Sequence, residues 1–211
     1  LKGDTDALKL LIENGLDVNG QGVGGLTLLH WAFACEDLQC FRVFLEAGAD
    51  PDVPLSKGLK SRDEIMFYTR DTILHTCARR DGWWKYLMDG LKYCQRPDLI
   101  GAGNDKLTNL VTNSRGSARA LRAVLEAGAN PNFEDSGQSG FVKALISEDY
   151  EAVAVLLDHN ADPIWGDFSA DEMLQLIQKR IVRYSAERGD PEFAVLSRFR
   201  EAVLKRAEEQ E

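Results

Sequence analysis

Three histidines, four cysteines and a set of adjacent acid pairs are the residues of this chain whose types could do chemistry. A hydrolytic centre needs a nucleophile with a base in reach and a third group to orient the base. Cys35 and His30 are the best such pair on paper, but five residues apart on a short helix they point to different sides. The cysteines, Cys35, Cys40, Cys77 and Cys94, form no CxxC and have no histidine at a metal-ligand spacing. Glu36-Asp37, Asp63-Glu64, Glu134-Asp135 and Glu148-Asp149 are adjacent in sequence, and at turns or helix starts such pairs solvate or cap. The glycine-rich run from Asn19 to Gly25 has the wrong spacing for a phosphate loop, lacks a following Lys-Ser/Thr and follows no strand, so it reads as a loose finger. The expectation is a protein that is not an enzyme and carries no cofactor and no metal.

The elements that would position these residues repeat. Thr27 to Ala32 reads TLLHWA and returns as TILHTC from Thr72, then in worn form as TNLVTN from Thr108 and SGFVKA from Ser139. LEAGADPD at Leu45 to Asp52 returns as LEAGANPN at Leu125, as IENGLDVN at Ile12 and as LDHNADP at Leu157. Between opening and ending lies an apolar stripe at helical spacing, such as Leu38, Phe41, Phe44 and Leu45, closed by a glycine suited to the left-handed stop of a helix. Thr27 and Thr72 stand where a side-chain oxygen can cap a helix, with a histidine three residues on that can bond back to the turn. Asn160 replaces the glycine of the last stop, and Asn tolerates that conformation.

This combination of opening and ending motifs resembles the ankyrin repeat, from about Leu1 to Pro163. The resemblance implies an all-α solenoid of about five stacked helix-turn-helix repeats, the first one truncated, with a helical C-terminal cap. It also places His30 and His75 in repeated structural turns. The expected division is residues 1–167 for the repeats, with an irregular insertion at about 53–70, and residues 168–211 for capping helices. Ser169 to Glu172 is a capping-box sequence that opens the first of these helices, whose apolar side includes Met173, Ile177 and Val182; Asp190-Pro191-Glu192 opens the second. The third unit is irregular: its second helix, about Trp83 to Cys94, lacks the Gly-Ala-Asp ending and reads as extended by a turn. The fourth carries Val111 and the fifth Val142 where the histidine would stand. The first unit's second helix runs from about Thr5 to Asn14, with its first helix falling before residue 1.

With 211 residues, 44% hydrophobic and 28% charged, the chain has material for a sizeable core. A net charge of −9 argues against nucleic-acid binding and favours a protein partner with a basic surface. No run approaches the length and apolarity of a membrane span, so membrane insertion is not expected. Reduced structural cysteines, with Cys40 and Cys77 as small buried hydrophobes, a monomer and a cytoplasmic location complete the expectation; a start at Leu1 is compatible with a removed signal peptide.

The insertion ends in Ile65, Met66, Phe67 and Tyr68, side chains that are either tucked onto the next repeat or held out for a partner. Trp83 and Trp84 are spaced so that one packs while the other points elsewhere. The resemblance implies a contact surface made of finger tips and the inner face of first helices. On this chain it falls on Phe67, Tyr68, Arg79, Arg80, Trp83, Asn104, Asp105, Asp135, Ser136 and Gln138. The function expected is recognition of a specific protein, either as an inhibitor or immunity-type protein that blocks a toxin or hydrolase, or as a scaffold or adaptor domain of a longer protein.

Overall fold

The computed structural model describes residues 4–60, 66–79, 82–98, 108, 118–135, 138–165, 168–184 and 189–209. The chain divides into two compact units, one of Leu1–Leu110 with Ala127–Ala129, the other of Val111–Glu126 with Asn130–Glu211. The first unit holds α1 (Thr5–Glu13), α2 (Leu28–Ala34), α3 (Leu38–Glu46), a hairpin of β1 (Leu59–Lys60) and β2 (Met66–Phe67), α4 (Ile73–Ala78) and α5 (Trp84–Leu91). The second holds α6 (Ala118–Glu126), a hairpin of β3 (Glu134–Asp135) and β4 (Gln138–Ser139), α7 (Gly140–Ile146), α8 (Tyr150–Asp158), α9 (Ala170–Ile181) and α10 (Pro191–Glu208).

The same local devices recur because the same residues recur. Second helices start on an aspartate: Asp4, Asp37 and Asp149 each accept the N–H of the residue three positions on, all at 3.0 Å, satisfying an otherwise orphaned donor. First helices start on Thr27, Thr72 and Ser139. The stops lie in the left-handed region at Gly15, Gly48, Gly128 and Asn160, with φ of 93°, 89°, 96° and 56°. Glycine takes that conformation without a Cβ penalty, and Asn bears it better than most residues.

Successive endings are tied by the last residue of the motif. The Asn19 side chain donates to Gly48 O at 3.0 Å and accepts Asp50 N–H at 2.8 Å, and Asn132 accepts Asp162 N–H at 2.6 Å. Asp52 holds the corresponding place in LEAGADPD and does the same work on an irregular target. Its carboxylate accepts from Gln95 N at 2.7 Å, Arg96 N at 2.9 Å and the Cys94 thiol at 3.1 Å. Burial, reinforced by this carboxylate, pushes the Cys94 thiol up to about 12. These bonds explain a departure from the sequence reading: α5 ends at Leu91 and is not extended, because Asp52 captures the chain immediately beyond it.

In the first unit α2 packs on α3 and α4 on α5, with α3 between α1 and α5. Phe33, Phe41, Leu29, Leu74 and Leu87 fill the space between them. Gly90 permits the closest of these approaches, since a Cβ there would lie 2.5 Å from Leu74 Cδ2. Gly90→Ala should therefore cost about 1–3 kcal/mol by overpacking, despite the better helix propensity of alanine. Urea denaturation of the variant checks this, and a gain in stability would refute it.

In the second unit α9 and α10 pack against each other and cover α7 and α8. The Phe141 and Phe199 rings stack at 4.4 Å, Arg180 Nε donates to Leu145 O at 2.8 Å, and Arg198 and Arg206 pair with Asp158 and Asp162 at 2.8 and 3.0 Å. Ser169 and Glu172 close a reciprocal cap at the start of α9. Met173 and Ile177 face inward, whereas Val182, which the sequence places on the same face, is 77% exposed beyond the last turn. Among the described residues no helix is long and apolar enough to cross a membrane.

Candidate functional site

The inserted segment is a built finger. Leu55 N–H donates to Asp71 O at 2.9 Å and Arg70 N–H to Leu55 O at 2.8 Å, closing its base. Leu59 faces Phe67 and Lys60 faces Met66 in an antiparallel pair, and Gly58 N–H donates to Thr69 Oγ1 at 2.8 Å. The finger leans on the glycine-rich run, which is accordingly not a loose loop. Ser56 and Lys57 donate their N–H groups to Gly24 O at 3.1 and 3.2 Å, and a Cβ on Gly24 would meet Leu59 Cδ1 at 2.6 Å. Glycine is required there both by its φ of 70° and by the close approach of the finger.

The alternation of a strand then sorts the side chains, one face inward and the next outward. Phe67 is buried, its ring 5.6 Å from the imidazole of His30 and 6.4 Å from the ring of Phe33. Phe67 thus leaves the set of surface residues: it anchors the finger. Met66 and Tyr68, on either side of it, are 40% and 43% exposed. The Tyr68 ring lies under the Arg79 guanidinium at 5.2 Å, a cation–π contact. Arg79 is in turn fixed by Asp71, a fully buried carboxylate that accepts its Nε at 2.9 Å. An exposed aromatic ring is therefore held through a guanidinium by a fully buried carboxylate.

The tryptophans divide as their spacing suggests, with Trp83 on the inner side. Trp83 is half-buried, 4.0 Å from Phe33 and 6.0 Å from Tyr86, while Trp84 is 43% exposed with the Lys85 amine 6.0 Å over its ring. Trp84 is the contact candidate that the sequence reading left out of its site. Its signal was available, because Trp83, Tyr86, Leu87, Gly90 and Leu91 follow the inward period of α5 and Trp84 falls off it. Of the other expected contact residues, Arg80, Asn104, Asp105 and Ser136 lie outside the described residues. Asp135 stands in β3, paired with Gln138, which is half-buried in β4 of the second unit.

His30 illustrates what the repeated histidine does. Its Nδ1 accepts Thr27 N–H at 3.2 Å and lies 2.8 Å from the Thr27 hydroxyl, an arrangement repeated by His75 with Thr72 at 3.3 and 2.9 Å. Accepting that N–H requires an unprotonated Nδ1, which fixes the neutral tautomer. Burial lowers the His30 pKa to about 4, so the ring stays neutral near pH 7. Walled in by Phe67 and 1% exposed, it is a bracket for the turn and is out of reach of a substrate. Among the described residues no group of three or more His, Cys, Asp or Glu could hold a metal ion.

Comparison with known proteins agrees with this geometry. A family profile for ankyrin repeats in many copies matches residues 1–45. Ankyrin repeat domain-containing protein 40 of Mus musculus and that of Homo sapiens are each 41% identical over 69 residues, 30% of this chain; the match spans 19% of the relative's length. The crystal structure of an ankyrin repeat domain from Acinetobacter baumannii superposes with a TM-score of 0.65 at 19% identity, covering 97% of this chain and 93% of that one.

Proposed function

We propose that this chain, an ankyrin-repeat domain in its fold, is a protein-recognition module that grips one protein partner with its inserted finger and the adjoining ends of α4 and α5. The observation that carries this reading is the Tyr68–Arg79–Asp71 stack: an exposed ring with its position set from below loses little conformational entropy on binding. Met66 and Trp84 add exposed apolar and aromatic surface on the same unit, and aromatic and Arg residues are the usual anchors of protein interfaces. The chain's acidity supports a partner with a basic surface. The sequence expectation for Arg80, Asn104 and Asp105 stays with this unit; Asp135, Ser136 and Gln138 belong to the second unit and form a separate expectation of contact.

Affinity capture with the intact chain, followed by binding measurements on surface variants, tests it. Tyr68→Ala and Arg79→Ala should each weaken capture by at least roughly 10-fold, about 1.4 kcal/mol. Trp84→Ala should weaken it as well, while the thermal melt of the Tyr68 and Trp84 variants stays near that of the parent. Unchanged binding in all three would refute the surface. The finer reading, a dedicated inhibitor or immunity-type protein rather than an adaptor, is decided by the captured partner. An inhibitor abolishes that partner's catalysis on binding, and an adaptor leaves it unaltered.

A further inference from the structure

Apart from the finger, α5 carries an anomaly of its own. Counted from the Thr27–His30 and Thr72–His75 brackets, Asp89 takes the place that Phe44 has in α3; Val124 and Leu156 have it in α6 and α8, each four residues before its stop. Phe44, Val124 and Leu156 are buried. Asp89 is buried too, 8% exposed, so a carboxylate stands where the other repeats place an apolar side chain. Burying an ion pair is a weak source of stability, because the loss of hydration offsets the attraction. Asp89 instead holds two cations in place. It accepts Arg42 Nε from α3 at 2.6 Å and Lys92 Nζ, just past α5, at 2.7 Å. Both cations stay open to solvent, their side chains 42% and 66% exposed, and among the described residues the Arg42 Nη groups have no partner. An ion pair between neighbouring second helices does not by itself require such burial. Arg122 has the place of Arg42 in α6, and the side chain of its partner Asp158 lies at the surface, 36% exposed.

Size and charge select the occupant. Arg42, Lys92 and Asp89 line a pocket of about 220 Å³ together with Leu45, Glu46 and Tyr93, whose ring is exposed. Small-molecule sites run from about 300 to 1,000 Å³, so this one has the size of a single side chain. Asp89 is committed to both cations, while Glu46 adds a second, exposed carboxylate. With two positive and two negative groups in the lining, a monoanion is favoured over a dianion such as phosphate. We propose that this pocket seats one acidic side chain, Asp or Glu, of a protein partner. The Arg42 Nη groups and Lys92 Nζ donate to its carboxylate, its stem lies against Tyr93, and Asp89 is the positioning residue that fixes the spacing of the donors. The seat is separate from the finger and stands without it. The net charge of the chain repels anions at long range, so the seat supplies register and specificity at contact and not association rate. A partner with a basic surface is drawn in by the chain's charge and set in place by this one acidic residue.

The test titrates the full chain with two short peptides, capped at both ends and identical except for a central Glu or Gln, and with propionate and inorganic phosphate, all at matched ionic strength. Nuclear magnetic resonance of the Arg42 Nε–H and the Tyr93 ring reads the binding. The Glu peptide should shift both signals saturably, with a Kd on the order of 10 mM, as one or two charge-assisted bonds supply, and the Gln peptide should not. Arg42→Gln and Lys92→Met, at exposed positions, should each weaken the Glu peptide at least roughly 3-fold, and Tyr68→Ala should leave it unchanged. Asp89→Leu restores the residue type of the other repeats. Its urea midpoint should equal or exceed that of the parent, yet it should bind the Glu peptide at least roughly 3-fold more weakly although a negative charge is gone. Equal shifts with the Gln peptide, phosphate binding more tightly than the Glu peptide, or no effect of Arg42→Gln overturns the proposal. Propionate binding without the Glu peptide overturns it as well, since the site would then take a free small acid. So does an Asp89→Leu chain that unfolds earlier in urea, which makes the buried carboxylate a structural keystone, or one that binds more tightly, which leaves net charge as the only attraction.

Discussion

Phe33→Ala should destabilise the first unit by about 3–5 kcal/mol, the range for deleting a fully buried aromatic ring. Phe33 has no exposed surface and stands where three elements meet. Its ring is 4.0 Å from Trp83 and 5.2 Å from Tyr86 on the α5 side, and 6.4 Å from Phe67 of the finger. Truncation leaves a cavity that Phe67 and Tyr86 cannot fill without breaking other contacts, because Phe67 also packs on His30 and Tyr86 also packs on Phe41. The loss therefore exceeds the transfer free energy of the ring alone. Urea denaturation followed by tryptophan fluorescence reads it directly, since Trp31, Trp83 and Trp84 all belong to this unit. Met66→Ala, at an exposed position on the same finger, should change stability by no more than about 0.5 kcal/mol. A loss below about 1 kcal/mol for Phe33→Ala would show that the aromatic cluster does not anchor the finger.

That cluster also marks where reading the sequence succeeded and where it stopped. Helix caps, stops and the order of helices are local properties: Asp37 caps the helix that begins beside it, and Gly48 or Asn160 ends the helix that precedes it. Such features are legible because cause and effect lie within four residues. The apolar stripe of a helix is legible for the same reason. The finger is different. Phe67 and Tyr68 are adjacent and both aromatic, and only the register of β2 against β1, together with a pocket formed by residues from α2, decides which of them is buried. The role of Asp52 is equally hidden, since the N–H groups its carboxylate accepts from lie more than forty residues on, in a stretch without the repeat's ending. The glycines before Leu26 read as slack in the sequence, whereas Leu59 occupies the space a side chain on Gly24 would need. In each case the missing information was a long-range partner, and the residue type alone is compatible with several.

Acidification should expose the bracket formed by His30. The unfolded chain binds a proton on this ring near the ordinary value of 6.5, while the buried ring in the folded chain binds it only near pH 4. As pH falls through this window the unfolded state takes up the proton first. Stability is therefore complete above about 6.5 and is lost progressively down to about 4, by roughly 3 kcal/mol in total. The carboxylates act lower. Burial tends to raise the Asp89 pKa, but bonds from Lys92 and Arg42 outweigh it and hold it below 3.8; Arg198 and Arg122 hold Asp158 below the same value. Their contribution is fully present above 3.8 and is lost only as pH falls below it, so the two effects occupy different windows. Denaturation midpoints measured from pH 7 to pH 4 should fall steadily, and His30→Gln, though less stable at pH 7 for want of the imidazole bond to Thr27, should show a flatter slope. Nuclear magnetic resonance of the ring protons supplies the independent reading: His30 should remain neutral at pH 5.5. An imidazole that titrates near 6.5 in the folded chain would mean that water reaches it, and that Phe67 does not close the pocket in which the turn is held.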